Sequence, residues 1–281
     1  MSNTYKNFSP FALAGHEEAF RALLEVFHHF SIRYFLIGAQ ARDVHFFQQG
    51  IKPPRITLDI DFAVMVVSMG QYQALIEMLQ AKGFEKSKEP HRLNWAKSST
   101  IIDLLPFGQI AEDFTVNFDE KDTELSVLGY NELIEETEEF YLNEDYSISI
   151  PVPPLHGLFI LKLLSWDDQK PDRDKDLTDL KYILDHYWEF AEEEAYEKHH
   201  DLFTDNFEAS RAAARILGRH LRITLDKSNI LRDKVLRILK EQSSAVEPPG
   251  LMLRRFSSNN NQSITEVKAL LDAVILGVND K

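Results

Sequence analysis

The sequence predicts an α+β protein, a small mixed β-sheet with a C-terminal all-helical domain behind it. Three observations predict it. Up to about residue 150, short apolar runs of strand length alternate with segments of helical apolar spacing. A proline cluster, Pro151, Pro153 and Pro154, then interrupts the chain, and beyond it apolar residues recur at helical spacing to about residue 278. The boundary therefore falls at the prolines, with an α/β core over 1–150 and a helical domain over 151–281. At 281 residues and 44% hydrophobic content, the chain can bury a sizeable core as one large domain or two smaller ones.

Taken in order, a helix is predicted over about residues 15–30, then a buried strand from Ile32 to Ile37, a turn at Gly38 and Ala39, and a helix starting near Gln40. The run RITLDIDFAVMV reads as the next strand, and a helix over 70–82 ends at Gly83. Strands near 91–97 and 100–105 suit a hairpin. After a long loop, VLGYNELI and a strand around 146–150 close the core. The stretch LHGLFILKLLSWDD opens the helical part, and SSNNNQS, 257–263, reads as a mobile loop before the last helix.

The chemistry is concentrated in three acids. Side chains alternate along a strand, so Asp59 and Asp61 project from one face while Ile60 and Phe62 enter the other. Asp103, in TIIDLLPFG, suits a neighbouring strand that lays a third carboxylate beside them. Carboxylates on buried strands are costly unless a cation meets them. Three converging on one place imply divalent metal, provided Asp103 comes within about 8 Å of the other two. Two such ions can activate an attacking oxygen and stabilise a leaving pyrophosphate. An Asp-x-Asp pair alone also fits a strand cap or a solvated turn.

Upstream, Gly38 and Ala39 stand where a strand hands over to a helix. A glycine there lets backbone N–H groups approach a phosphate, and the helix N-terminus adds partial positive charge. An ordinary tight turn reads the same way. Strand, glycine turn, helix and Asp-x-Asp strand together form one architectural unit.

The order Gly38-Ala39, Arg55-x-Thr57-x-Asp59-x-Asp61, Asp103 in IDLLPFG, and Lys162 followed by RDKDLTDL resembles the AbiEii-type nucleotidyltransferases. That family belongs to the polymerase-beta-like superfamily, and several members are toxins of toxin–antitoxin pairs. The similarity spans roughly residues 30–225. It implies a nucleotidyltransferase core, with Mg2+ or Mn2+ on Asp59, Asp61 and Asp103 and an NTP as substrate. Asp103 would also help activate the acceptor hydroxyl. Thr57 and Arg55 fall on the family's Arg-x-Thr/Ser pattern, and equally fit a strand-fixing threonine and a surface ion pair. This chain departs from the family in having Gly-Ala where Gly-Gly or Gly-Ser is usual, and in the long spacing, residues 40–58, before Asp59.

A second constellation lies on predicted helices. Lys162 stands among apolar neighbours and must reach solvent or meet an anion. By the resemblance that anion is the nucleotide triphosphate, Asp176 lies near the nucleotide, and the helical domain completes the site. Asp172, Asp176 and Asp179 share a helix face, with Lys175 and Asp179 read as salt bridges to neighbouring helices.

The net charge of −14 argues at first against a polyanionic partner. Residues 211–240, however, hold 9 basic against 2 acidic residues, and Arg211, Arg215, Arg219 and Arg222 form one helical stripe. The stripe could follow an RNA backbone, with tRNA the acceptor the resemblance suggests, or dock on Glu189, Glu192, Glu193 and Glu194. The absence of cysteine excludes disulfides, thiolate metal sites and a cysteine nucleophile. With neither a signal sequence nor a membrane-length apolar run, a cytoplasmic protein with no membrane partner is expected. The functions expected are a toxin-like nucleotidyltransferase, with an antitoxin protein as a possible partner, or a catalytically degenerate nucleotide-binding interaction module.

Overall fold

The computed structural model describes residues 16–53, 59–98, 100–118, 123–141, 148–168, 173–244, 246–259 and 262–280. The chain divides into two compact units, Met1–Pro154 and Leu155–Lys281.

In the first unit, α1 (Glu17–His29) buries Phe20, Leu23 and Phe27, a stripe at spacings of three and four. Then come β1 (Tyr34–Ile37), α2 (Gly38–Gln48), β2 (Asp59–Met65) and α3 (Met69–Ala81). Ser68 caps α3 by accepting a hydrogen bond from the Gln71 N–H, and Gly83, at φ +108°, carries the chain away from its far end. Strands β3 (Phe84–Lys86), β4 (Arg92–Trp95) and β5 (Thr100–Phe107) complete a five-stranded sheet of order β1-β2-β5-β4-β3. Only β2 and β5 are parallel; every other neighbouring pair is antiparallel. The sheet is therefore mixed, as the sequence predicts.

Phe62 points from the sheet into α1, its ring centroid 6.0 Å from those of both Phe20 and Phe27. Residues of the opposite parity, Asp59, Asp61 and Asp103, therefore leave by the other face. Farther along that second face the chemistry changes to aromatic: Phe35 and Phe107 pack edge-to-face against Tyr130 of α4 (Tyr130–Leu133). Between β5 and α4 runs a small hairpin of β6 (Thr115–Phe118) and β7 (Thr123–Ser126), where the sequence suggested a long loop. Its strands are short and rich in Thr, Asn and Glu, so their alternation is faint. The unit closes with a second two-stranded ladder, β8 (Glu138–Tyr141) and β9 (Ser149–Val152). Strand β9 runs through Pro151, which a two-stranded ladder tolerates because one strand edge is unpaired.

The second unit is helical in its described residues: α5 (Leu155–Asp168), α6 (Asp174–Lys198), α7 (Ala209–Leu225), α8 (Asn229–Ser244), α9 (Leu251–Asn259) and α10 (Ile264–Asn279). Helix α10 starts in a capping box of Ser263 and Glu266. Helices α7 and α10 cross at Gly218 and Gly277, where a Cβ on either residue would run into the backbone of the other helix. Ser257, Ser258 and Asn259, expected in a loop, are the end of α9, a polar run in which the sequence has no apolar helical period to read; residues 260–261 of the expected loop lie outside the described residues. Among the described residues no helix is long and apolar enough to cross a membrane.

Candidate active site

Four residues in register form one row across the first unit's sheet. Ile37 of β1 faces Asp61 of β2, Asp61 pairs with Asp103 of β5, and Asp103 faces Arg92 of β4. Asp59 lies two residues before Asp61 on the same strand face, in register with Ile101. The alternation read from the sequence therefore puts the three carboxylates on adjacent strands and one face.

Gly38 follows Ile37 and begins α2 at φ +75°, so the glycine alone makes the strand-to-helix handover expected of Gly38 and Ala39 together. A Cβ at this position would collide with the Asp61 carboxylate and lie 2.9 Å from its Cγ. Two features found separately in the sequence, the glycine and the second aspartate, thus touch: the missing Cβ is the space the carboxylate fills. Ala39 is buried just inside the helix start. Ile37, at the N-cap, provides no side-chain cap, and the first backbone N–H groups of a helix lack helical partners.

Arg92 was not singled out from the sequence, and it dominates the electrostatics of the row. Its Nε donates to Asp103 Oδ1 at 2.8 Å and its Nη2 to Asp103 Oδ2 at 2.7 Å, a forked pair. The same Nη2 lies 3.7 Å from Asp59 Oδ2. One nitrogen therefore reaches both acids, so Asp59 and Asp103 share this cation. The hydrogen bonds it donates to Asp103, ahead of an opposing effect of burial, push the Arg92 pKa above its ordinary range. Asp103 has an 8% exposed side chain and needs this cation; Asp59, at 41%, is solvated. The signal was present in the sequence. In a hairpin whose loop is 96–99, counting outward from Trp95 and Thr100 pairs Arg92 with Asp103.

The donor set is three carboxylates, hard oxygen ligands that suit Mg2+ or Mn2+, and the guanidinium stands in for positive charge between Asp59 and Asp103. The fit is thus one of chemistry and of strand face. The oxygens of the trio do not all come within 4.8 Å of one another; among the described residues only Glu194, His199 and His220 do so as a group. Arg55 and Thr57 lie outside the described residues.

In the second unit, Lys162 of α5 lies buried between two carboxylates of α6, 3.0 Å from Asp176 Oδ1 and 2.8 Å from Asp179 Oδ2. Lys162, expected to meet an anion, meets two within its own unit. Asp179 ties α6 to its neighbour, and Asp172 lies outside the described residues. The arginine stripe of α7 is likewise engaged. Arg215 and Arg219 both hydrogen-bond Asp280, Arg219 also binds Asp201, and Arg222 pairs with Asp226. Only Arg211, 3.8 Å from Glu208 and 56% exposed, remains peripheral. Among the described residues the stripe's acidic partners are Asp280, Asp201, Asp226 and Glu208 rather than Glu189, Glu192 or Glu193. Glu194 instead faces His220 and His199. Burial pushes the His220 pKa down to about 4 and that of His199 down as well; for Glu194 burial acts upward, and nearby His220 and Lys198 outweigh it.

No family model and no curated protein matches the chain. Among solved structures it aligns with the antibiotic-resistance factor ANT(2'')-Ia at 12% identity, over 84% of this chain and 96% of that one, with a TM-score of 0.36. An antigenic nucleotidyltransferase-like protein from Paracoccidioides brasiliensis aligns at 14% identity, over 70% and 93%, with a TM-score of 0.38. The CdnE cyclic dinucleotide synthase of Elizabethkingia meningoseptica, solved with GTP and Apcpp, aligns at 12% identity over 95% and 97%, with a TM-score of 0.28. Superpositions this loose carry no functional inference, and the chemistry has to rest on the chain's own residues.

Proposed function

We propose that the protein is a metal-dependent nucleotidyltransferase of the AbiEii type that moves a nucleoside monophosphate from an NTP to an acceptor hydroxyl. The observation that carries this reading is the row Asp61–Asp103–Arg92 with Gly38 packed against Asp61. Asp59 and Asp61 would hold Mg2+ or Mn2+, with Asp103 completing the set. When bound, the ion supplies charge neutralisation on the triphosphate and the leaving pyrophosphate.

The chain's own residues supply the rest. The N–H groups at the start of α2, at Gly38 and Ala39, would serve as phosphate donors. Asp103, oriented by the Arg92 fork, accepts the acceptor hydroxyl's proton on a carboxylate lone pair that the fork leaves free. The hydroxyl oxygen forms its bond to the α-phosphorus as the α–β anhydride bond breaks, and pyrophosphate leaves with the electron pair. The resemblance also gives Lys162 and Asp176 nucleotide contacts and Thr57 a place before the metal pair. For Lys162 such contacts compete with its ion pairs to Asp176 and Asp179. RNA, a tRNA end first, is the acceptor the family suggests, and a toxin role with an antitoxin partner has the same source.

The test is incubation with each labelled NTP, Mg2+ and total tRNA. Label should enter RNA with at least one NTP and fall to background in Asp61→Ala. No label with any NTP, or undiminished transfer in Asp61→Ala, contradicts the reading. A second reading, a degenerate nucleotide-binding module, is favoured by one observation: each Asp103 oxygen already accepts a hydrogen bond from Arg92, which competes with a metal ion for the carboxylate. Saturable NTP binding by calorimetry with no turnover would select it.

A further inference from the structure

Away from the acidic row, the second unit gathers donors of a different kind. Glu194 on the last turns of α6, His199 just beyond its end, and His220 on α7 each offer one ligand atom, and these atoms all lie within 4.8 Å of one another. Glu194 Oε2 is 3.1 Å from His220 Nε2, and Glu194 Oε1 is 3.7 Å from His199 Nε2. A tetrahedral zinc ion with bonds of about 2.0–2.2 Å requires ligand atoms about 3.3–3.6 Å apart, which these separations straddle. A second observation is independent of that spacing. His199 is only 9% exposed, and its Nε2 is buried with no hydrogen bond among the described residues. A buried ring nitrogen without a bond is costly, and here it is aimed at a carboxylate beyond hydrogen-bond reach.

We infer that Glu194, His199 and His220 form a site for a divalent transition cation, zinc above all, with solvent in the fourth position. Two imidazoles beside one carboxylate favour zinc over magnesium, whereas the all-oxygen acidic row suits a hard ion such as magnesium. The ion would tie the end of α6 to α7. The surroundings suit one ring directly. His220 Nδ1 is 2.7 Å from the Tyr187 hydroxyl, which turns from donor to acceptor as the ring proton moves from Nε2 to Nδ1. The other ring needs a rearrangement: Arg219 Nη1 donates to His199 Nδ1 at 2.8 Å, and ion binding moves the His199 proton to that nitrogen. Arg219 must then release the ring, and it retains Asp201 and Asp280.

The experiment uses the full chain, stripped with chelator and titrated with Zn2+ by calorimetry and with Co2+ by visible absorption. One equivalent should bind, with cobalt d–d bands of a low-coordinate nitrogen–oxygen site. Glu194→Gln and His220→Gln, both close in shape, should each weaken Zn2+ binding by about tenfold or more, and Asp61→Asn should leave it unchanged. Absence of saturable binding, indifference to both substitutions, or loss in Asp61→Asn would each overturn the site. None of these readouts depends on nucleotidyl transfer, so a failure here is distinct from a failure of that reading.

Discussion

Arg92 donates from the Nε–Nη2 edge of its guanidinium to both oxygens of a carboxylate that is 8% exposed. Removing it strands a buried charge, so Arg92→Met should destabilise the protein by about 2–3 kcal/mol, somewhat less than a fully buried pair would lose because the guanidinium is partly solvated. Added Mg2+ should return part of that loss if Asp103 shares the ion; a thermal melt with and without Mg2+ checks both effects, and a magnesium response absent in Arg92→Met argues against Asp103 as a ligand. Gly38→Ala is the companion test. The substitution forces φ +75° on a residue with a Cβ and drives that Cβ into the Asp61 carboxylate, so transfer should fall more than about tenfold while the fold persists. The aspartates and the glycine were legible in the sequence because alternation along one strand is a local property. Arg92 was missed because its role needs the hairpin register, a pairing between strands.

At the scale of elements, α7 and α10 are locked by two devices that no periodicity reveals. The crossing at Gly218 and Gly277 brings backbones together, and Gly277→Ala should cost about 1–3 kcal/mol through overpacking against the Arg215 carbonyl, read as a lower denaturation midpoint. Beyond α10, Asp280 takes Arg215 and Arg219. The hydrogen bond from Arg215, then opposing burial, then the bond from Arg219 leave its pKa below the ordinary carboxylate value. A carboxyl depressed in the fold stabilises above its unfolded pKa, and that contribution disappears as pH falls through the lowered value. Stability should therefore drop below about pH 4 in the wild type, and Asp280→Asn should be less stable at neutral pH with a flatter acid limb. An unchanged acid limb contradicts the clamp. Long helices such as α5, whose bounds match the run LHGLFILKLLSWDD, were legible from apolar spacing; the β6–β7 hairpin was not, because Thr, Asn and Glu blur a period of two.

Across the whole molecule, net charge is the visible quantity, and −14 disfavours broad electrostatic attraction to RNA. The positive stretch 211–240 looked like an exception by composition, yet Arg215, Arg219 and Arg222 are engaged with acids of their own unit. A sequence shows charges but not who neutralises them. Any RNA acceptor should accordingly bind with a shallow salt dependence, about one or two released counterions rather than four, which filter binding across a salt series measures; a slope matching four arginine contacts contradicts these pairings. The α+β class and the succession of sheet then helices followed from the change in apolar period near residue 150, a signal that summed over long segments survives local errors. The central claim is that the acidic face built on Asp59, Asp61 and Asp103 transfers nucleotides. Its most direct test is single-turnover incubation of the protein with labelled NTPs, Mg2+ and tRNA, beside Asp61→Ala: magnesium-dependent label on RNA that vanishes in the variant is the predicted result, and equal label in both proteins, or none with any NTP, contradicts it.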